Sequence, residues 1–250
     1  MNTFLIIITI IYGIIIGSFL NVCIYRIPKN ESIVTDRSHC MTCGHKLKWY
    51  DLVPLVSYLT LGGKCRYCKT KISKQYPVIE FTNGVLYGIL VVVNGFNIST
   101  ILFCLCSSAL LALSVIDWRT FEIPIAFNIF IGILGIIRLL TDLEHWYVYI
   151  IGFFTVSGFL YLLFLITKGR GIGGGDIKLM AAAGLLIGWK NIILALGIGC
   201  VLGSIIHIIL MKVQNKERVL AFGPYLSLGI YIAMLYGNQI IEWYINTFIY

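Results

Sequence analysis

Eight long apolar segments are the feature of this sequence that most limits its fold. A helix needs about 20 apolar residues to cross a bilayer, and backbone polar groups in lipid must be paired within the segment itself. Hydrophobic residues make up 59% of the 250-residue chain and charged residues only 12%. We therefore predict an all-α polytopic membrane protein with about eight transmembrane helices, at residues 4–20, 78–94, 100–116, 124–140, 146–167, 179–189, 191–211 and 222–237.

One large polar insertion interrupts these segments, between the first and the second. The sequence predicts a first transmembrane helix at residues 1–20, a loop domain at residues 21–76 and a membrane-embedded domain at residues 77–250. The segment 179–189 is short for a full crossing, so the count of eight is approximate. The first apolar segment has no basic stretch before it and no small-residue cleavage site, and we expect it to be retained as a span.

The distribution of basic residues predicts the orientation in the membrane. If the eight spans alternate, 17 of the 19 Lys and Arg residues fall on one side, and only Arg138 and Lys190 fall on the other. The positive-inside rule then places the insertion and both Asp117 and Asp176 on the cytosolic face. We expect the basic loops to lie against anionic lipid. The chain lacks the basic arrays interleaved with aromatic residues that are typical of nucleic-acid binding, so we expect no nucleic-acid partner.

Four of the eight cysteines form two Cys-x-x-Cys pairs within the insertion, Cys40 with Cys43 and Cys65 with Cys68. Paired elements of this kind are typical of a tetrahedral structural zinc site, and a reducing cytosol disfavours disulfides. We predict a zinc site; the alternative is four reduced thiols without metal. His39 and His45 flank the first pair as further possible ligands. No role is assigned to the remaining cysteines, which lie in or beside apolar segments: Cys23, Cys104, Cys106 and Cys200.

Two aspartates lie at the ends of apolar segments, where an ionisable group is costly unless it has a partner or a function. Asp117 begins the motif Asp-Trp-Arg-Thr-Phe-Glu-Ile-Pro, and Asp176 follows the glycines at 173–175. Two close carboxyls that share one proton can activate water for attack on a peptide, one as the base and the other as the acid. Glycines before Asp176 would let an extended substrate approach closely. One hypothesis is therefore an aspartic peptidase.

Other interpretations of the same residues remain open. Asp176 could cap the helix that follows it, and Asp117 could pair with Arg119. Two carboxylates at a membrane edge could also relay ions or protons in an ion-coupled transporter. A non-enzymatic assembly scaffold held together by the zinc loop is a third possibility. Glu122 is a further carboxyl nearby and ranks below Asp117.

The order of the motifs resembles the type IV prepilin peptidases, which are GxGD aspartic proteases, over nearly the whole chain. The first matching segment is Gly17–Pro28, and the two Cys-x-x-Cys pairs follow it. The other matching segments are residues 54–58, 63–68 and 72–80, the Asp117 motif, Gly173-x-Gly175-Asp176 and Phe222-Gly223-Pro224. A lone GxGD motif is weak, whereas this ordered set is specific.

The resemblance implies both an activity and a location. Asp117 and Asp176 would cleave the short basic leader from prepilins or pseudopilins, at the cytosolic face of a bacterial cytoplasmic membrane. Residues 77–250 would form the peptidase domain. The family's second activity transfers a methyl group from S-adenosylmethionine to the new amino terminus. The sequence has no glycine-rich nucleotide loop after a strand, so Glu80 and the segment Gly17–Pro28 are only candidates for that site.

Overall fold

The structure is a computed structural model that describes residues 3–35, 37–169, 171–214 and 221–248, without the side chains of 212–214. Arg170, Lys216 and Arg218, which contribute to the charge asymmetry, lie outside these residues. Within them the chain is helical and contains no strand. Its α-helices are α1 Thr3–Arg26, α2 Val56–Thr60, α3 Gln75–Asn94, α4 Ile98–Thr120, α5 Ile125–Thr141, α6 Trp146–Ile166, α7 Gly174–Ile187, α8 Trp189–Gln214 and α9 Gly223–Phe248.

Each of the eight apolar segments predicted from the sequence lies largely in a helix, and the all-α fold of a multi-pass membrane protein is confirmed. Among the described residues, five helical stretches are long and apolar enough to cross a bilayer: Thr3–Lys29, Gln75–Asn94, Ile98–Thr120, Leu143–Ile166 and Trp189–Met211. A shorter apolar helix, Ile125–Thr141, follows the third. Helix α7 has 14 residues, which is less than the length of a full crossing.

The chain forms two compact units, residues 1–112 and residues 113–250. The domain boundaries predicted from the sequence stay a prediction. In the first unit, α1 packs closely on α3 through glycines. A Cβ on Gly13 would lie 2.9 Å from the Cα of Gly84, and one on Gly17 would lie 2.7 Å from the Cα of Glu80. Gly13 and Gly17, four residues apart on α1, therefore bring the two backbones together, as small residues do at many membrane helix interfaces.

Buried polar side chains add hydrogen bonds to this interface. Asn83 of α3 donates its amide to the Gly13 carbonyl at 2.7 Å and accepts from the Ser108 hydroxyl at 2.9 Å. The Tyr87 hydroxyl is 2.9 Å from the same Ser108 oxygen. Because lipid offers no competing partner, such bonds help to fix the register between α1, α3 and α4.

In the second unit, α7 is the central helix, packed between α5 and α6. Its contact with α6 is a backbone approach, because a Cβ on Gly152 would overlap the Gly184 carbonyl oxygen and a Cβ on Gly184 would overlap that of Gly152. Leu179, Met180 and Ala183 of α7 are fully buried. This packing holds the body of α7, whose first turn carries Asp176.

The close approach of α6 and α7 predicts a contrast between two glycines of one helix. Gly152→Ala should destabilise the protein by about 1–3 kcal/mol, because the added methyl meets backbone that cannot move away as a side chain can. Gly158→Ala is the matched control, since a Cβ there meets no atom within 4 Å and alanine favours helix by about 1 kcal/mol. Thermal unfolding of the purified variants in detergent measures both. Equal unfolding temperatures for the two variants would contradict the packing.

Candidate functional site

Asp117 lies in the last turn of α4 and is only 5% exposed. Its Oδ2 accepts a hydrogen bond of 2.9 Å from the backbone N–H of Gly223, the first residue of α9. The first N–H groups of a helix have no partner in the helix and carry a partial positive charge, so this position favours a carboxylate. Asp117 therefore closes the N-terminus of a helix that begins 106 positions later.

The contact with Asp117 explains, on steric grounds, why the Phe222-Gly223-Pro224 motif has glycine at position 223. A Cβ on residue 223 would lie 2.7 Å from Oδ2 of Asp117 and 3.1 Å from its Cγ. Pro224 occupies the next position, where a helix loses nothing through the missing N–H. The motif thus provides one free donor and no side chain in front of the carboxylate.

Asp176 lies in the first turn of α7 and is half-buried. Its carboxylate accepts a hydrogen bond from the backbone N–H of Gly173, the N-cap residue. The side chain of the third helical residue thus reaches back to the cap, as in half of a capping box. Asp176 does cap its helix, which was one of the alternatives, but capping leaves its second oxygen available.

The two carboxyls are close enough to affect each other electrostatically. Burial, first, and the negative charge of Asp117, second, raise the pKa of Asp176 to about 6, while the Gly173 N–H opposes the shift. Asp176 precedes the apolar part of α7 and lies outside the five candidate spans. A like charge that raises a pKa is characteristic of carboxyls that share a proton. The second unit therefore brings the two sequence-predicted aspartates together.

Two other charged side chains near the two aspartates, Glu122 and Lys178, are exposed and do not pair with them. Glu122 is exposed, in the turn between α4 and α5. Ile123 packs on the glycine just before Asp176, because a Cβ on Gly175 would be 3.0 Å from the Cβ of Ile123. Lys178 is exposed and forms no ion pair with either aspartate among the described residues.

The first unit holds a separate cluster, formed by the four cysteines of the insertion. The Sγ atoms of Cys40, Cys43, Cys65 and Cys68 all lie within 4.8 Å of one another, and those of Cys40 and Cys68 are 3.7 Å apart. The cluster could hold a metal ion, as the spacing predicts. The two flanking histidines are not part of it: the ring of His45 packs against Tyr67 with a centroid distance of 3.6 Å.

Each Cys-x-x-Cys pair forms the same turn. In the first, the Gly44 N–H donates to the Cys40 carbonyl, and in the second, the Lys69 N–H donates to the Cys65 carbonyl. Gly44 and Lys69 both have positive φ values, 68° and 59°. Backbone N–H groups of Cys43 and Thr42 lower the pKa of the Cys40 thiol, and the Thr70 hydroxyl lowers that of Cys68 to about 6. The turns therefore favour the thiolate, the form that binds metal, at Cys40 and Cys68. The backbone N–H of His45 lowers the pKa of Cys43, but desolvation and the neighbouring thiols of Cys40 and Cys68 raise this pKa to about 11.

Glu80 is the buried carboxyl of the first unit, with 6% of its surface exposed. It accepts a 2.8 Å hydrogen bond from the backbone N–H of Leu55, a residue with a positive φ of 59°. The Ser18 hydroxyl of α1 is also within hydrogen-bonding reach. No lysine or arginine of the described residues forms an ion pair with Glu80. Glu80 thus connects the insertion to α3 and retains an uncompensated carboxyl.

Comparison with protein families covers most of the chain with two adjacent matches. Residues 11–94 match the Bacterial Peptidase A24 N-terminal domain, and residues 104–208 match the Type IV leader peptidase family. The first match contains the cysteine cluster and Glu80, and the second contains both aspartates. No solved structure matches the chain.

Several curated proteins are similar to the chain from end to end. A protein of Pseudomonas aeruginosa named Prepilin leader peptidase/N-methyltransferase is 32% identical, over 95% of this chain and 92% of its own length. A Bacillus subtilis protein of the same name is 34% identical, over 94% of this chain and 96% of its own length. A third, from Pseudomonas putida, is 30% identical, over 92% of this chain and 90% of its own length.

The cysteine cluster predicts one bound metal ion per chain. Cys68→Ser should lower the metal content and the unfolding temperature, because thiolate ligands link two turns of a small module with little apolar core. Cys200→Ser is the control, since Cys200 lies in α8 and outside the cluster. Elemental analysis and thermal unfolding of the two variants provide the measurements. Wild-type protein that is folded and free of metal would contradict the prediction.

Proposed function

Because this chain belongs to the type IV leader peptidase family, we propose that Asp117 and Asp176 together activate the water that cleaves prepilin leaders. The protein is a peptidase with methyltransferase activity: it cleaves prepilins and N-methylates the new amino terminus. Its substrates are prepilins, or pseudopilins of the same kind. The observation that carries the assignment of the site is the electrostatic coupling between the two carboxyls, because partial burial and then the charge of Asp117 raise the pKa of Asp176.

The two carboxyls share the work of hydrolysis through one proton. The ionised carboxyl takes a proton from water as the water attacks the scissile carbonyl carbon. The protonated carboxyl donates to the carbonyl oxygen, and the proton taken from water then goes to the leaving amine. Burial and mutual repulsion keep the shared proton in place. The pair titrates as a unit, so the base and the acid are roles of the pair.

The helix N-termini keep the carboxyls ordered without neutralising them. Each carboxyl accepts one backbone N–H, from Gly223 for Asp117 and from Gly173 for Asp176. Neither forms an ion pair with a lysine or arginine in the described part of the chain. A full cationic partner would hold both carboxyls ionised and abolish the acid. The glycines also leave backbone accessible to a substrate segment that has unwound from its helix.

The site would face the cytosol at a bacterial cytoplasmic membrane. This orientation is supported by the excess of Lys and Arg on one side of the predicted topology. The prepilin would approach within the bilayer, with its apolar stem in lipid and its basic leader in the cytosol. An ion-coupled transporter is not favoured by the relatives, and it would produce ion flux in liposomes without a cleaved peptide.

Zinc is the metal that best suits the four-cysteine cluster. Tetrahedral Zn²⁺ with Zn–S bonds of about 2.3 Å places the sulfurs about 3.8 Å apart, close to the 3.7 Å between Cys40 and Cys68. Four thiolates leave no open position for a substrate, so the zinc would be structural. It would replace the apolar core that this small module lacks.

S-adenosylmethionine would supply the methyl group for the second activity when bound. Its sulfonium is cationic, which fits a buried carboxylate that has no cationic partner among the described residues. Glu80 and the adjoining segment Gly17–Pro28 are therefore the candidate residues to hold it. Gly17 of that segment lies directly against Glu80, because a Cβ there would be 2.7 Å from the Glu80 Cα.

Substitution of each aspartate tests whether Asp117 and Asp176 act together as a catalytic dyad. Asp117→Asn and Asp176→Asn should each lower prepilin cleavage by about 1,000-fold or more, because asparagine keeps the shape and removes the titrating group. Glu122→Gln is the matched control: it neutralises an exposed carboxyl five residues from Asp117 and should cleave like the wild type. Cleavage is measured by the mass of a synthetic prepilin peptide. Retained cleavage in either asparagine variant would defeat the dyad.

The pH dependence follows from the coupled pair. Since the pKa of Asp176 is raised to about 6, the pair holds its proton below this pH and loses it above. We expect kcat/KM for cleavage to fall about tenfold per pH unit once the pH exceeds about 6. Methylation of a pre-cleaved peptide is the control, because it does not use the dyad. Cleavage that rises through this range would contradict the assignment.

A further inference from the structure

Asn128 of α5 is a buried amide with unused hydrogen-bonding capacity. Its side chain is 6% exposed, and neither Nδ2 nor Oδ1 has a hydrogen-bond partner. Of the side chains that the structure describes, it alone has two polar atoms buried without a partner. Buried polar groups are almost always paired, and an unpaired one destabilises the fold. An unpaired amide at this position therefore indicates a hydrogen-bond partner from outside the chain.

The packing of α5 on α7 locates this amide relative to the aspartates. A Cβ on Gly132 would lie 4.0 Å from the Cβ of Ala182, and one on Gly135 would lie 2.9 Å from the Cγ of Leu185. Both contacts join residues 50 positions apart, so the two helices run parallel in a common register. Asn128 precedes these glycines by four and seven residues, which places it on the same face of α5.

The register puts Asn128 next to the first turn of α7. An offset of 50 pairs it with position 178, about 3 Å along the helix axis from Asp176. Helical side chains lean toward the N-terminus, so the amide is directed toward the turn that carries Asp176. Beyond this turn α7 continues into its apolar part, with Leu179 and Met180 buried. The register thus places Asn128 within one helical turn of the level of Asp176, on the side where α7 enters its apolar part.

We propose that the Asn128 amide binds the backbone of the prepilin stem, just after the scissile bond. This proposal rests on the peptidase role of Asp117 and Asp176. The Nδ2 group would donate to a substrate carbonyl and Oδ1 would accept from a substrate N–H, a donor and acceptor pair that matches the N–H and C=O of one residue in an extended chain. The carboxyls already accept from Gly173 and Gly223, so they do not need the amide.

An unwound substrate needs such a partner. When the start of the apolar stem is extended for cleavage, its N–H and C=O groups lose their helical partners in a region with little water. Backbone pairing compensates for that loss and does not depend on the side chains of the stem. One enzyme could therefore process several pilins that differ in sequence after the cleavage site.

Binding requires the first turns of α5 and α7 to separate, because the amide is covered at rest. The segment just before α5 meets the first turn of α7 where Ile123 contacts Gly175. The next residue toward the N-terminus leaves space, since a Cβ on Gly174 would meet no atom within 4 Å. Glycines at the start of α7 let its backbone adjust at this end, while the Gly152–Gly184 approach holds the rest of the helix in place.

The test compares amide and ester substrates on the full-length enzyme. A prepilin peptide with a basic leader and the start of an apolar stem is made with each of the first three peptide bonds after the cleavage site replaced in turn by an ester. An ester lacks the N–H and is a weaker acceptor. The enzymes are the wild type, Asn128→Leu and Thr100→Val. Thr100 is the matched control, because its hydroxyl is also buried and unpartnered but lies at the opposite end of α4 from Asp117.

We expect Asn128→Leu to lower kcat/KM for the amide substrate about tenfold, without a lower unfolding temperature, because leucine removes an unpaired polar group. One ester should lower cleavage about tenfold in wild type and Thr100→Val, and by less than twofold in Asn128→Leu. If Asn128→Leu does not fold, Asn128→Ala replaces it in the same comparison.

Two results would overturn the proposal. One is Asn128→Leu cleavage equal to that of wild type. The other is an ester effect of the same size in both enzymes, which would mean that the amide only holds a structural water. Either result would leave the catalytic assignment of Asp117 and Asp176 standing, provided that the Asp117→Asn and Asp176→Asn variants are inactive. If those variants are active, the peptidase assignment of the two aspartates is itself wrong.

Discussion

The hydrogen bonds from helix N-termini to the two aspartates are the constraint on which the site depends. A carboxylate at a membrane edge needs donors, because the surrounding apolar residues and lipid offer none. Here the donors are the backbone N–H groups of Gly173 and Gly223, which the helix geometry leaves without internal partners. The fold thus uses the starts of α7 and α9 to hold charge. It also explains why glycine precedes or begins both helices, since a side chain at 223 would displace the carboxyl.

These backbone donors suit the proposed role of the two aspartates. A lysine or arginine would stabilise the charges more strongly, but it would also fix both carboxyls in the ionised form. One backbone donor to each carboxylate orders the side chain without fixing its charge. Burial and repulsion between the two carboxyls would then retain one proton on the pair. The pKa of Asp176 is raised because burial and the charge of Asp117 outweigh the Gly173 N–H, which lowers it. The central position of α7, packed against both α5 and α6, gives the balance a rigid frame.

Much of this could be predicted from the sequence, because the relevant signals are local. The apolar runs predicted the helices, and the Cys-x-x-Cys spacing predicted the cluster. The convergence of Asp117 and Asp176 depended on packing between distant segments, and residues alone left capping and transport equally open. The Gly152–Gly184 approach and the orphan amide of Asn128 also escaped prediction. A glycine in an apolar helix or an asparagine in a span carries no sign of its neighbour until the register between helices is known.

The two compact units of the chain carry different sets of candidate functional groups. The first unit carries the cysteine cluster and Glu80, and the second carries the aspartates. Glu80 accepts from a backbone N–H of the insertion, so this hydrogen bond connects the loop that carries the cysteine cluster directly to α3. The candidate methyl-transfer residues and the proposed peptidase pair therefore belong to separate compact units.

The most direct test of the central claim is an infrared titration of the Asp176 carboxyl in wild type and in Asp117→Asn, with Asp176→Asn used to assign the band. Removal of a neighbouring negative charge must lower the pKa of the remaining carboxyl, whereas burial is unchanged. We predict that Asp176 titrates near pH 6 in wild type and at a clearly lower pH in Asp117→Asn. The same pKa in both proteins would show that the two carboxyls do not interact, and would contradict the dyad.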